Sequence, residues 1–272
     1  MSGRRKLIIG NWKMHFTVKQ AVSFAGKLAA KPIPEGVTVA IAPHNLALSE
    51  ISTLTQKTGL KIAAQNAYFQ DEGTFTGEIS MPMLRGLAQY VLVGHSERRH
   101  VFHESNEVIR LKVAAAARAG LIPVLCLGET LVERQHYHTK QVIVDQLTTG
   151  LANLTADEVA KTVIAYEPVW SISGGKDFLK HKSAQPEDVA QAVAIIRHNI
   201  ATLYGEEVAK KVKVIYGGSS NADNAAAFLQ ADGIDGLLPG GASLSLATFW
   251  PMVTIAGKTV PKKIEVNSES KR

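Results

Sequence analysis

The sequence contains a single cysteine, Cys126, and lacks any long hydrophobic run. One cysteine cannot form a disulfide within the chain, which is typical of proteins from reducing compartments. Apolar runs such as residues 113–117 fall far short of the roughly 18 residues that a membrane-spanning helix needs. The basic residues 4–6 are followed by only three apolar residues before Gly10, so this start does not resemble a secretory signal peptide. We therefore expect a cytoplasmic protein with no membrane partner.

The placement of charge argues against a nucleic-acid partner, although the formal net charge is +6. The excess lies at the two ends, in residues 4–6 and from Gly257 onward, so residues 7–256 carry no formal net charge. A neutral body offers no stripe of positive charge to follow a phosphate backbone. With 46% hydrophobic and 20% charged residues, the 272-residue chain has the composition of a globular protein with a large core. We expect one domain over residues 1–256 and a polar, basic, partly disordered tail over residues 257–272.

A short apolar segment, a turn and a helical pattern recur eight times along the chain. The predicted strands span residues 7–9, 37–42, 60–64, 90–93, 122–127, 162–166, 212–216 and 234–238. The predicted helices span residues 18–30, 45–56, 82–88, 106–119, 131–153, 186–204, 222–230 and 243–255. We expect Thr17, Ser105 and Ser220 to cap helices at their N-termini, and Gly120 and Gly205 to end helices. Eight βα units of about 32 residues each predict an α/β fold, a single (β/α)8 barrel with a parallel eight-stranded core.

Polar and ionisable residues follow the predicted strands at their carboxyl ends, where barrels of this kind place their active sites. The segments are Asn11-Trp12-Lys13, Gln65-Asn66, Gly94-His95-Ser96-Glu97, Gly128-Glu129, Glu167-Pro168-Val169-Trp170, Gly217-Gly218-Ser219 and Gly240-Gly241-Ala242-Ser243. Any one of these residues could be purely structural. Their concentration at one face of the barrel indicates an enzyme.

Glu167 and His95 are the candidate proton-transfer residues. Glu167 leaves an apolar strand for the apolar segment 168–170, a dry setting in which desolvation raises the basicity of a carboxylate. His95 lies where a helix can begin, and a helix N-terminus disfavours the imidazolium form. Lys13 would bring a positive charge to an anionic substrate, and Asn11 an uncharged donor beside it.

In order and spacing, these motifs resemble those of the triosephosphate isomerase family. The resemblance covers nearly the whole chain, from Gly10-Asn11-Trp12-Lys13 through Thr76-Gly77-Glu78 and Ala165-Tyr166-Glu167 to Gly240-Gly241-Ala242-Ser243-Leu244. It implies an aldose-ketose isomerase that interconverts dihydroxyacetone phosphate and D-glyceraldehyde 3-phosphate by proton transfer through an enediolate. Such a reaction requires no cofactor and no metal ion.

The same resemblance implies a role for each residue of the site. Glu167 would be the base, and a neutral His95 would donate to the substrate oxygens. The substrate would be bound by Asn11, Lys13, Ser173, Ser219, Gly240 and Gly241. Glu97 and Glu129 would belong to the structural and electrostatic surroundings. The family also implies a homodimer formed through the loop from Tyr68 to Ile79, which carries Phe75 at its tip.

Each alternative function requires particular residues, and the sequence has some of these and lacks others. An isomerase of a related four-carbon sugar phosphate on the same scaffold would share the base and the imidazole. A Schiff-base aldolase needs a lysine inside the barrel, and the predicted strand 162–166 has none. An inactive phosphate-binding protein would be expected to lose Glu167 or His95. The pairs His100/His103 and His136/His138 have metal-like spacing but no accompanying cysteine or carboxylate set, so we expect no metal site.

The segment after the candidate base departs from the family pattern. Ser171, Ser173 and Gly174 stand where the family usually has alanine, glycine and threonine, and extra residues are added within 177–185. Ser173 keeps a backbone N–H for the phosphate but restricts φ, whereas Gly174 adds backbone freedom. We expect a lid that still closes, at a larger cost of ordering.

Overall fold

In the computed structural model, which describes residues 4–172 and 184–260, eight parallel strands form a closed barrel in sequence order. They are β1 (Lys6–Asn11), β2 (Val37–Ala42), β3 (Lys61–Ala64), β4 (Tyr90–Val93), β5 (Ile122–Leu127), β6 (Val163–Tyr166), β7 (Lys213–Tyr216) and β8 (Gly236–Leu237). The ring closes where β8 pairs with β1, with Leu7 opposite Gly236 and Ile8 opposite Leu237. The predicted (β/α)8 barrel is confirmed.

Helices follow the strands and cover the outside of the barrel. They are α1 (Val18–Ala29), α2 (Leu48–Thr55), α3 (Ser96–His100), α4 (Asn106–Arg118), α5 (Leu131–Gln135), α6 (Thr139–Leu151), α7 (Ala156–Val159), α8 (Pro186–Tyr204), α9 (Glu206–Lys211), α10 (Ala225–Gln230) and α11 (Leu246–Thr259). Short 3₁₀ segments lie at Asn45–Ala47, Pro82–Leu84, Val169–Ser171 and Gly241–Ser243. None of the helices in the described ranges is long and apolar enough to cross a membrane.

The helices differ from prediction more than the strands do. The predicted helix over residues 131–153 is two helices, α5 and α6, because the chain turns at Tyr137 with a φ of +60°. The predicted helix over residues 82–88 is a single 3₁₀ turn, which ends before Gly86 adopts a φ of +78°. Helices α7 and α9 were not predicted, because segments this short show no helical periodicity. The start of α3 after His95 was predicted, but its extent was not. The last helix continues past residue 255 to Thr259.

Four of the five predicted helix ends are confirmed. Thr17 accepts a hydrogen bond from the backbone N–H of the third residue of α1, and Ser105 does the same for α4. Gly120 and Gly205 follow helices with φ values of +78° and +90°. A side chain in that region is strained, so glycine is the residue that ends a helix there most easily.

The predicted cap at Ser220 is wrong. The neighbouring residue, Asn221, caps this turn instead, because its Oδ1 accepts the backbone N–H groups of Asp223 and Asn224 at 2.9 and 3.1 Å. Helix α10 then begins three residues later than predicted, at Ala225. The hydroxyl of Ser220 is left without the role that its sequence position suggests.

Apolar side chains fill both faces of the strands. Along β1, Leu7 and Ile9 belong to the cluster inside the barrel, whereas Ile8 belongs to the cluster between the strands and the helices. The inner cluster mixes alanines such as Ala40 with larger residues such as Leu92. Because the interior is filled, a substrate can bind only at an end of the barrel, where the strands give way to loops.

Candidate active site

Residues from the carboxyl ends of several strands enclose a cavity of about 190 Å³. Five of the eight predicted site residues line this cavity: Lys13, His95, Ser219, Gly240 and Gly241. Glu167 and Asn11 lie directly behind it, in contact with His95 and Lys13 respectively. The eighth residue, Ser173, lies outside the described residues, as do Gly174 and most of the segment 177–185.

Glu167 is held at the end of β6 in a buried position, with 1% of its surface exposed. Its backbone N–H donates to the carbonyl of Leu127 at 2.7 Å, and its Oε2 accepts the backbone N–H of Ser96 at 2.9 Å. The other oxygen, Oε1, lies 3.3 Å from Nε2 of His95. A Cβ at Gly217 would lie 2.7 Å from Cγ of Glu167, so glycine is needed there to leave room for the carboxylate.

His95 directly precedes α3, as its sequence position suggests. Its Nδ1 accepts the backbone N–H of Glu97 at 3.3 Å, so the proton of a neutral imidazole is assigned to Nε2. That nitrogen faces Glu167. A carboxylate and an imidazole therefore lie side by side, with the imidazole lining the cavity and the carboxylate directly behind it. Such a pair has the groups needed to move a proton from carbon and to donate one to oxygen.

Lys13 is fixed by its neighbours in a rare backbone conformation, with a φ of +50°. Its N–H donates to Oδ1 of Asn11 at 3.0 Å, and its carbonyl accepts from Nε2 of Gln65 at 2.7 Å. Its Nζ forms an ion pair of 2.8 Å with Glu97. Non-glycine residues with positive φ persist where the surroundings enforce them, often at functional sites. Asn11 thus contacts the lysine rather than the cavity.

Charge around Glu97 favours its ionised form. Burial alone would raise the pKa of this carboxyl, but the nearby His95 and Lys13, with the hydrogen bond from Lys13, lower it below its ordinary value. An ionised Glu97 keeps the ammonium group of Lys13 at the edge of the cavity. The carboxylate is therefore an electrostatic anchor rather than an acid.

Glu129 is buried in a different setting, beneath the start of the segment that follows Glu167. It accepts hydrogen bonds from Nε1 of Trp170 at 2.9 Å and from the hydroxyl of Tyr166 at 3.1 Å. Burial raises the pKa of Glu129, although these donors and the Arg134 guanidinium act in the opposite direction. Arg134 also lies 4.2 Å above the Trp170 ring. Glu129 therefore fixes the segment's first turn.

Backbone segments after β7 and β8 form the opposite side of the cavity. Ser219 follows two glycines, and its N–H donates to the carbonyl of Ser171 at 3.1 Å. Gly240 precedes the 3₁₀ turn Gly241–Ser243, whose Ser243 hydroxyl donates back to the Gly240 carbonyl at 2.7 Å. Backbone without side chains can approach an anion closely, so this side of the cavity fits a phosphate group.

Sequence reasoning missed three contributors to the site. Ser96 acts through its backbone, which carries no side-chain signal, and Gly217 acts by being small. Gln65 was noted at the end of a strand but assigned no role, although it holds Lys13 in place. No group of three or more histidine, cysteine or carboxylate side chains within residues 4–172 and 184–260 could hold a metal ion.

Comparison with known proteins gives a consistent result. The family model described as Triosephosphate isomerase matches residues 6–256. A relative named Triosephosphate isomerase from Clostridium tetani is 39% identical over 251 residues, which cover 92% of this chain and 96% of that protein. A relative of the same name from Dictyoglomus thermophilum is 42% identical, and the match covers 92% of this chain and 99% of that protein. A third relative of this name, from Chlamydia trachomatis serovar D, is 41% identical, and the match covers 92% of this chain and 89% of that protein.

Proposed function

The chain belongs to the triosephosphate isomerase family and interconverts dihydroxyacetone phosphate and D-glyceraldehyde 3-phosphate, and we propose that Glu167 and His95 carry the proton transfers. The observation that supports this assignment is the 3.3 Å approach of Glu167 Oε1 to His95 Nε2 beside the cavity. Both groups can therefore reach two adjacent atoms of one small substrate.

The proposed reaction begins when the Glu167 carboxylate removes a proton from the carbon next to the substrate carbonyl. As charge develops on the carbonyl oxygen, Nε2–H of His95 donates to that oxygen and stabilises the enediolate. His95 gives its Nε2 proton to the former carbonyl oxygen and takes the proton of the neighbouring hydroxyl in exchange. Return of the carbon-bound proton from Glu167 to the former carbonyl carbon then completes the exchange of aldehyde and ketone. No electron leaves the substrate, so the proposal requires neither a cofactor nor a metal ion.

The binding residues divide between the two sides of the cavity. Lys13 would place its charge near the phosphate and the enediolate, with Asn11 positioning the lysine backbone. The backbone N–H groups of Gly240 and Gly241 would donate to the phosphate, and Ser219 would bind it once its N–H gives up the bond to the Ser171 carbonyl. By resemblance Ser173 would add a further N–H, from the segment outside the described residues.

An isomerase assay on wild type and Glu167→Gln tests the assignment. The amide cannot accept a proton, so we expect turnover to fall by at least the roughly 10²–10⁴-fold that a general base supplies. Inhibition by inorganic phosphate and the melting temperature should change little. Glu206→Gln, which alters an exposed carboxylate in the first turn of α9, is the matched control. Turnover of Glu167→Gln within threefold of wild type would remove the residue from its role.

The same assay with a four-carbon ketose phosphate measures substrate preference. We expect turnover of the triose phosphates to exceed that of the longer substrate clearly. The opposite ranking would contradict the triose assignment and leave the proton-transfer roles in place.

We propose that the protein forms a homodimer through the loop from Tyr68 to Ile79. Large apolar side chains are exposed on successive loops after β1 to β4, which are neighbours in the barrel: Met14 95%, Leu46 82%, Phe75 38%, Met83 59% and Phe102 61%. Phe75 packs on Tyr68 of its own loop at 4.7 Å and is still partly exposed. A patch of this kind is unusual on a monomer and supports an interface.

Unpaired polar atoms beside this surface support the same proposal. Both ring nitrogens of His44 and Oδ1 of Asn45 are buried without a hydrogen-bond partner among the described residues. They adjoin the exposed Leu46 in the loop after β2. A second copy of the chain could supply the partners that buried polar atoms normally have. We also propose a cytoplasmic location, supported by the single cysteine, Cys126, which is buried and unpaired.

A further inference from the structure

Ser220 is a buried residue of the cavity with an unused hydroxyl. It lines the cavity beside Ser219 and is 7% exposed. Its Oγ has no hydrogen-bond partner in the part of the chain that the structure describes. Buried hydroxyls are nearly always paired, so an unpaired one at a binding site needs an explanation.

The local structure explains why the hydroxyl is free. A serine just before a helix usually accepts a hydrogen bond from the helix N-terminus. Here Asn221 holds the turn before α10 instead, since its Oδ1 accepts the backbone N–H groups of Asp223 and Asn224. The amide of Asn224 bonds the carbonyl of Ser219 at 3.3 Å, which fixes the loop on the other side of Ser220. The loop is therefore ordered without any contribution from the Ser220 hydroxyl.

The position of Ser220 within the cavity indicates which part of a substrate it faces. The ionisable groups Lys13 and His95 come from the loops after β1 and β4. Ser220 comes from the loop after β7, next to the loop after β8 that carries Gly240 and Gly241. This is the side whose exposed backbone fits a phosphate. Phosphate oxygens accept hydrogen bonds, and a serine hydroxyl has one proton to donate.

We propose that Ser220 is an additional phosphate-binding residue, whose hydroxyl donates a hydrogen bond to a phosphate oxygen of the substrate. The inference rests on the proposed function, because it assigns the glycine-rich side of the cavity to the phosphate. It adds one side-chain donor to the backbone N–H groups of Gly240 and Gly241, on the side of the cavity that Ser219 also lines. The bound phosphate then satisfies a hydroxyl that has no hydrogen-bond partner among the residues that the structure describes.

Ser220→Ala tests the proposal, because it removes the hydroxyl and keeps the Cβ. We expect inorganic phosphate to inhibit the variant about tenfold more weakly, the loss typical of one hydrogen bond to a charged group. The value of kcat/KM for D-glyceraldehyde 3-phosphate should fall by a similar factor, and that for D-glyceraldehyde, which lacks the phosphate, should not change. Ser220→Thr, which keeps a hydroxyl, should recover part of the affinity. Ser23→Ala, on the exposed face of α1, is the control.

Thermal unfolding separates binding from a structural role. Without phosphate, Ser220→Ala should melt at or slightly above the wild-type temperature, because the hydroxyl that it removes has no hydrogen-bond partner within residues 4–172 and 184–260. With phosphate, the rise in melting temperature should be smaller than in wild type. Equal phosphate inhibition in the two proteins, or equal losses on both substrates, would overturn the proposal. If Ser220→Ala loses phosphate affinity while Glu167→Gln keeps its turnover, the catalytic assignment fails and the phosphate site stands.

Discussion

The backbone N–H of Ser96 donates a hydrogen bond of 2.9 Å to Oε2 of the Glu167 carboxylate, joining the loop after β4 to the loop after β6. One oxygen of the base is thereby held. The other has no hydrogen bond among the described residues and lies 3.3 Å from His95. The carboxylate is thus oriented by one oxygen, while the other is buried without a hydrogen bond among the described residues.

Replacing His95 with glutamine should slow the chemical step more than it weakens binding. The hydrogen bond from Nε2–H strengthens as charge develops on the enediolate, so its loss acts mainly on the transition state. We expect kcat to fall by about 10²-fold or more, with a much smaller change in KM. His198→Gln, on the exposed side of α8, controls for loss of an imidazole. A change confined to KM would argue instead that His95 only positions the substrate.

Gly217→Ala should displace the base. The added methyl would lie 2.7 Å from Cγ of Glu167, closer than two carbons can approach. The carboxylate must then shift, and misplacement by about 1 Å can cost on the order of 10²-fold in rate. Gly26→Ala in α1 is the control, because its nearest neighbour would be 3.8 Å away. Wild-type kcat in Gly217→Ala would show that the position of Glu167 is not critical.

The barrel could be predicted because its strands have a strong local signal. The segments Val37–Ala42, Tyr90–Val93 and Ile122–Leu127 match prediction to the residue. Each is short, apolar on both faces and bounded by polar or glycine-containing turns, which is the pattern of buried parallel strands. Topology then brings the strand ends together, so five of the residues that line the cavity could be named from their positions, whereas their binding roles came from the family resemblance.

Features that depend on competition between neighbours could not be predicted in this way. Ser220 and Asn221 are both good capping residues, and only the path of the loop decides which one caps the turn. The break between α5 and α6 occurs at Tyr137, without a glycine or proline that would have indicated it in the sequence. The hydrogen bond between Ser96 and Glu167 depends on a backbone group. Each of these features results from tertiary packing, which local sequence patterns do not report.

Glu97 should make stability depend on pH in the acidic range. Its folded pKa is lowered, so the stability that it contributes is present above its unfolded pKa near 4.5 and is lost as the pH falls through the folded value. We expect the difference in unfolding free energy between wild type and Glu97→Gln to shrink as the pH falls below 4.5. Because 41% of the side chain is exposed, the difference at neutral pH should not exceed about 1 kcal/mol.

Denaturant titrations of both proteins from pH 7 into the acidic range measure this difference. Repeating them with Lys13→Met removes the nearest cation, and the pH dependence assigned to Glu97 should weaken. A difference that stays constant through the acidic range would mean that the carboxylate gains nothing from its neighbours.

Light scattering should give a mass of about twice the chain mass of 29.3 kDa at micromolar concentration. Leu46→Glu places a charge on the exposed apolar surface and should shift the protein to the monomer. Val132→Glu is the matched control, since Val132 is also exposed, at 62%, but follows β5 rather than β1 to β4. A stable mass near 29.3 kDa for wild type, or dissociation only in the control, would contradict the proposed interface.

Lys112→Met should be strongly destabilising, because Lys112 is a buried cation with specific partners. Only 2% of its surface is exposed, and its Nζ bonds Glu104 at 2.5 Å and Oδ1 of Asn66 at 2.8 Å. Burial lowers the pKa of Lys112, although the carboxylate of Glu104 acts in the opposite direction. Its removal leaves Glu104 with Arg98 as its remaining cation and should cost about 3 kcal/mol of unfolding free energy.

Much of that cost should come from the carboxylate left behind rather than from the lost attraction. Glu104→Gln in the Lys112→Met protein removes a buried charge that has lost one of its two cations. The double variant should therefore be more stable than the sum of the two single losses predicts. We expect a coupling of about 1 kcal/mol or more, measured by denaturant unfolding of all four proteins. Strictly additive losses would mean that the two residues stabilise the fold independently. Lys112 would then act mainly through Asn66, in the loop after β3.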